Sequence, residues 1–145
     1  MIIDAEAADS NRALLDDPAL RDLLGADVRA RLTEGARTTP AELAQAKAFQ
    51  PTWRTMMARA LAGVDVLVLP TVPFFPPRLA DAARQPYTVF TNPVNLSGYP
   101  ALAIPIPSAN RLPASLQLIG PANSEALLLA TAAIIEATAG YRRPD

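Results

Sequence analysis

Three short apolar runs decide what this chain can become. Residues 64–69 read Val-Asp-Val-Leu-Val-Leu, residues 101–106 Ala-Leu-Ala-Ile-Pro-Ile, and residues 112–119 Leu-Pro-Ala-Ser-Leu-Gln-Leu-Ile. Each is too short for an ordinary helix and is flanked by glycine or proline, the strongest local breakers of regular structure. The spacing predicts three strands. The first two are apolar at nearly every position and so expect cover on both faces of a sheet. The third alternates: Leu112, Ala114, Leu116 and Leu118 share one face, and Ser115 and Gln117 share the other. A glutamine in such a strand requires a hydrogen-bond partner.

What precedes these strands reads as helical. Asp17-Pro18 predicts a cap and first turn, with Gly25 ending a short helix. Val28 and Leu32 share a face of the next helix, closed by Gly35. Thr39-Pro40-Ala41-Glu42 is a capping box with proline in the first turn. Leu43, Ala46, Gln50, Trp53, Met57 and Leu61 then recur at helical spacing. Pro51 interrupts that pattern and is expected to kink or split the helix, which Gly63 should end. Residues 70–90 form a proline-rich loop, and Thr91-Asn92-Pro93 starts a short helix ending near Gly98. A turn around Ser108-Ala109-Asn110 joins the second and third strands. Asn123 or Ser124 caps a last helix with Leu127, Ala130, Ile134 and Ala137 as one stripe and Gly140 as its stop. Residues 141–145 form a mobile tail. The expected architecture is α/β, a small mixed sheet with flanking helices, in one domain over 1–145 (helical segment 1–63, α/β segment 64–140).

Composition excludes several functions. The chain has 145 residues and a net charge of −1 with no block of like charge, so nothing favours nucleic acid or a membrane surface. It has neither cysteine nor histidine, which removes disulfides, the commonest metal ligands and the familiar Ser-His and Cys-His nucleophiles. No loop is spaced for a metal held by carboxylates alone, and no cofactor is expected. Residues 1–4 show no charged leader with a long apolar stretch behind it, and no run reaches ~18 apolar residues. The resulting expectation is a cytoplasmic location.

The order and wording of the strand region resemble the C-terminal third of the amidase-signature hydrolases. The residues that carry the resemblance are Asp65 through Leu69 followed by Pro70-Thr71. Next come Thr91, Pro93, Asn95, Gly98, Pro100, Ala101 and Pro105, and then Leu112-Pro113 with Leu116-Gln117-Leu118 and Gly120. Ser115 departs from the glycine usual there, which narrows the space beside the sheet. The resemblance implies hydrolysis of a carboxamide to acid and ammonia by a Ser-Ser-Lys triad. It implies that Thr71 and the Phe74-Phe75 loop lie at the substrate pocket rim. Asn95 has two readings, as a satisfier of loop backbone inside a packed turn or as a substrate contact. A weaker match upstream makes Arg31 the counterpart of an arginine that binds a substrate carboxylate in amidotransferase relatives. Arg29 competes for that register, and a solvated helix arginine is the plain alternative.

The triad itself is expected to be missing. None of Ser10, Ser97, Ser108, Ser115 and Ser124 lies in a Gly-Gly-Ser-Ser context, and the single lysine, Lys47, does not match the family's lysine site. The reading is therefore a C-terminal part or subunit of an amidase, inactive alone, whose partner is an N-terminal amidase half or a separate catalytic chain. Uncovered apolar strands also predict a homodimer, touching through 40–62 or 70–90. The competing reading is a non-enzymatic module, derived from the amidase scaffold, that self-associates or binds a partner.

Overall fold

In a computed structural model the chain is described over residues 1–82, 85–109 and 112–140. It divides into two compact units, Met1–Thr52 and Trp53–Asp145. The boundary falls within one long helix, eleven residues before the expected limit of the helical segment.

The first unit contains α1 (Ile2–Ser10), α2 (Arg12–Asp16), α3 (Pro18–Arg21), α4 (Ala26–Gly35) and the first half of α5 (Pro40–Leu61). Ala5 and Ala8 form the buried stripe of α1, and Leu32 and Gly35 that of α4. Small residues matter here. A Cβ at Gly35 would collide with the carbonyl of Asp4, so only glycine lets the two helices come this close. Asp17 caps α3, its Oδ1 accepting from Ala19 N at 2.8 Å. Gly25 does not end that helix, which stops at Arg21, but serves as N-cap of α4. Val28 is exposed, so the expected Val28–Leu32 face is buried only at Leu32.

The capping box at α5 forms as expected. Glu42 Oε2 accepts from Thr39 N at 2.8 Å, and Thr39 Oγ1 accepts from Glu42 N at 3.3 Å. These bonds hold the Glu42 carboxyl below its usual pKa, the Thr39 backbone N–H contributing most. Pro51 does not split α5, which runs unbroken from Pro40 to Leu61. A proline costs one intrahelical bond, and the turns on either side continue.

The second unit holds β1 (Leu67–Pro70), α6 (Leu79–Ala82), α7 (Thr91–Ser97), β2 (Ala101–Ile106), β3 (Ala114–Ile119) and α8 (Glu125–Ala139). The sheet order is β1-β3-β2, and both pairings are antiparallel, where a mixed sheet was expected. Register pairs Leu67 with Ile119 and Pro70 with Leu116 on one side of β3, and Ala101 with Ile119 and Ile106 with Ala114 on the other. The α/β class stands, and an antiparallel pair needs only the local return between β2 and β3.

The alternation predicted for β3 sorts its two faces. Leu116 and Leu118 pack with Ile104, Leu128 and Ala132, and Leu118 is fully buried. Ile119, on the opposite face, packs with Met57 and Val94, with Trp53, Leu67 and Tyr99 around them. Trp53 Nε1 adds a 2.6 Å bond to the Pro93 carbonyl. Leu112 lies before the strand and is exposed.

Two further burial expectations fail. β1 begins at Leu67 rather than residue 64, and three of its four residues are exposed, Val68 by 50%. It is an edge strand within this chain, so only part of its apolar surface finds cover. On α8 the buried residues are Leu128 and Ala132 with Ile135 beside them, whereas Leu127 is exposed and Ile134 is 68% exposed. The stripe is shifted because the helix is apolar nearly all round, so periodicity alone could not choose a face.

The short helix at Thr91 and the stop signals at Gly98 and Gly140 are confirmed. Gly98 ends α7 at φ 72° and Gly140 ends α8 at φ 70°, both left-handed. Ser124 is the N-cap position of α8, without a side-chain capping bond. The turn at Ser108-Ala109-Asn110 is described only through Ala109, and the tail at 141–145 lies outside the described residues.

Candidate functional site

The loop between β1 and α7 holds most of the residues singled out from sequence, and both its ends are tied to β3. At its start Thr71 N donates to the Ser115 carbonyl at 2.9 Å, extending the β1–β3 ladder by one step. The two hydroxyls of these residues also meet, Thr71 Oγ1 to Ser115 Oγ at 2.7 Å. At its end Gln117 Nε2 donates to the Phe90 carbonyl at 3.2 Å. Ser115 and Gln117 are two residues apart on β3 and so lie on the same face. The demand of a buried glutamine for a partner is thereby met. Inside the loop Phe74 and Tyr87 pack edge-to-face, centroids 5.3 Å apart, a geometry favoured by the ring quadrupoles.

The described part of the loop therefore has a base bonded to β3 and exposes several apolar side chains beside the polar Arg78 and Asp81. Phe75, Tyr87 and Val89 are exposed, and Leu79, in a single helical turn that was not foreseen, is 95% exposed.

The other expected residues are placed differently. Asn95 sits on α7 with an exposed side chain, and among the described residues that side chain has no hydrogen-bond partner. The backbone-satisfying reading is thus not what the structure displays. The polar residue that does order this turn is Ser97, almost wholly buried, whose Oγ donates to the Val94 carbonyl at 2.6 Å and accepts from Tyr99 N at 3.2 Å. Arg31 lies in the first unit, on α4, paired with Asp4 on α1 at 2.9 Å. That bond, followed by the N-terminal amino group's bond, holds the Asp4 carboxyl below its usual pKa. Arg29 pairs with Asp22 at 3.4 Å.

None of this assembles a nucleophile with a base. Lys47 is paired with Glu6 at 2.7 Å within the first unit. Ser97 spends its proton on a backbone carbonyl, and among the described residues the Thr71–Ser115 pair has no titratable group bonded to it. Among the described residues no cluster of acidic side chains is spaced to hold a metal ion. No helix among them is long and apolar enough to cross a membrane.

A family profile described as Amidase matches residues 5–129. The chain belongs to the amidase family. A 2-amino-5-chloromuconic acid deaminase from Comamonas testosteroni is 38% identical over 122 residues, covering 78% of this chain and 26% of that protein. One of the subunits of a glutamyl-tRNA(Gln) amidotransferase from Halobacterium salinarum is 36% identical over 80 residues, covering 52% of this chain and 19% of that protein. A solved amidase structure superposes with a TM-score of 0.80 at 28% identity, over 93% of this chain and 33% of its own length. The chain thus spans about a fifth to a quarter of these curated amidase relatives. The amidase resemblance read from residues 65–136 is confirmed as a family, and it extends upstream into the helical unit.

From sequence Ser115 reads only as a residue that narrows the space beside the sheet, not as a partner of Thr71. Its signal was a hydroxyl in the strand position facing the Thr71 turn. Linking the two required the β1–β3 register, which is a non-local property.

Proposed function

We propose that this chain is the C-terminal region or subunit of an amidase-signature hydrolase, which turns a carboxamide into acid and ammonia, and that it supplies the rim of the acyl pocket rather than the chemistry. The observation that carries the reading is the loop after β1, described at 71–82 and 85–90, whose two ends are bonded to β3 while Phe75 and Tyr87 stay exposed. A rim anchored at its base with exposed apolar side chains suits the apolar part of an amide substrate. In this reading Thr71, Phe74 and Phe75 line the rim and Asn95 contacts substrate from α7; Arg31, which belongs to the other unit, is a separate candidate for a substrate carboxylate once released from Asp4. The nucleophile and its lysine come from an N-terminal amidase segment or a catalytic chain, and the chain alone turns over no amide. No cofactor takes part, and the location is cytoplasmic.

Co-purification with an amidase N-terminal segment that carries the serine loop and the lysine tests this. The expected result is amide hydrolysis by the pair and none by either piece. Hydrolysis that is unchanged when this chain is left out would refute it.

A second reading, a self-associating module without chemistry, is favoured by the exposed apolar side chains of Val68, Leu79 and Ile134. Surfaces of this kind promote association, most simply as a two-fold dimer. Sedimentation over a hundredfold concentration range is expected to show a dimer, and a single monomeric species throughout would exclude it.

A further inference from the structure

We infer that Ser115 is a specificity-determining residue of the pocket rim, selecting amides whose acyl group carries a hydrogen-bonding substituent over alkyl amides of the same size. The inference rests on the reading of loop 71–90 as that rim.

A serine or threonine hydroxyl has one donor and two acceptor lone pairs. The 2.7 Å contact between Thr71 Oγ1 and Ser115 Oγ uses one O–H. Either residue can be the donor, and whichever accepts keeps its own proton. Among the described residues neither oxygen has a second side-chain hydrogen bond. The pair therefore presents one O–H donor and spare lone pairs to whatever lies beside it. Both residues are half-buried, so the pair is reachable from solvent while being partly shielded from it. An alkyl group placed there strands the free O–H, whereas a hydroxyl or carbonyl satisfies it.

Position makes this pair selective rather than incidental. Thr71 is fixed by its own N–H bond to the Ser115 carbonyl, so the two oxygens are held by strand register and not by flexible side chains. Both also lie next to the loop that carries the Phe74–Tyr87 pair and exposed Phe75. One end of a small amide can thus meet aromatic surface while a polar acyl substituent meets the hydroxyl pair. Removing the Ser115 hydroxyl removes the ordered partner of Thr71 and leaves that threonine free to rotate.

The test is amide NMR of the ¹⁵N-labelled chain titrated with two probes of matched size, glycolamide and propionamide. Glycolamide is expected to shift Thr71 and Ser115 and to bind about fivefold more tightly, the size of one net neutral hydrogen bond. Ser115→Ala should weaken the preference, because the Thr71 hydroxyl that remains is no longer held in place, and Ser115→Thr, which keeps a hydroxyl, should retain it. Unchanged Leu128 and Ala132 amide resonances, from the core away from the substitution, show that each variant is folded. Equal binding of the probes to the unsubstituted chain, or a preference undiminished by Ser115→Ala, would overturn the inference. Shifts at Phe74 and Tyr87 without selectivity would remove the role of Ser115 and leave the rim standing. No shift anywhere in 71–82, 85–90 or 114–119 with either probe would remove both.

Discussion

Gly98 offers a clean separation of backbone strain from crowding. It ends α7 at φ 72°, and a Cβ built there meets nothing within 4 Å. Its place between a short helix and a proline-opened strand predicts a position that needs either φ > 0 or close backbone approach. The structure shows the first and not the second: space is available, and only the left-handed backbone objects. For an L-residue that conformation costs roughly 1–2 kcal/mol, less for asparagine and more for a β-branched residue. Gly98→Asn should therefore be nearly neutral, Gly98→Ala should lose about 1 kcal/mol, and Gly98→Val about 2 kcal/mol. At about 3–4 °C per kcal/mol for a chain of this length, the valine variant melts some 6–8 °C lower. Thermal melts of the three variants followed by far-UV circular dichroism give the ranking. Equal losses for asparagine and valine would refute the reasoning, because they would show that side-chain bulk, not φ, sets the cost.

Gly35→Ala should also destabilise, by about 1–3 kcal/mol in urea titration, although alanine is the better helix former; here the cause is collision with the Asp4 carbonyl, and faster amide exchange at Ala5 and Ala8 should accompany it. Leu118→Ala, at a fully buried position between β2 and α8, should cost about 3–5 kcal/mol. Acid should loosen the first unit selectively. The Asp4 and Glu42 carboxyls titrate lower in the fold than in the unfolded chain, so their contribution is complete above the ordinary carboxylate range and is lost as pH falls through and below it. Amide exchange in α1 and at the start of α5 should therefore rise on acidification, and Asp4→Asn should remove the α1 response.

Local signals were legible where one residue type had one physical use. Thr39 with Glu42, Asp17 before Pro18, and Gly98 and Gly140 after their helices all did what cap chemistry dictates. The alternation of β3 was readable because its two faces differ in polarity. Non-local choices were not readable. The face of α8 depended on which side the sheet approached, because the helix offers apolar residues on every side. The close approach at Gly35 depended on α1, some thirty residues away. The Thr71–Ser115 pair depended on register. Among the candidate site residues, Thr71 is bonded to Ser115 at the loop base and Phe74 packs on Tyr87 within the loop. Asn95 proved exposed, and Arg31 was already bound to a carboxylate of its own unit.

On the proposed reading this chain shapes an amidase pocket without carrying the nucleophile. Intact mass spectrometry of the 145-residue chain after incubation with an activated ester, p-nitrophenyl acetate, tests it most directly. No stoichiometric acyl adduct is expected on any serine, since Ser97 is buried and bonded to the Val94 carbonyl and Ser115 has only Thr71 as its hydroxyl partner. Rapid acylation of one serine, slowed by replacing Lys47 and followed by deacylation, would contradict it.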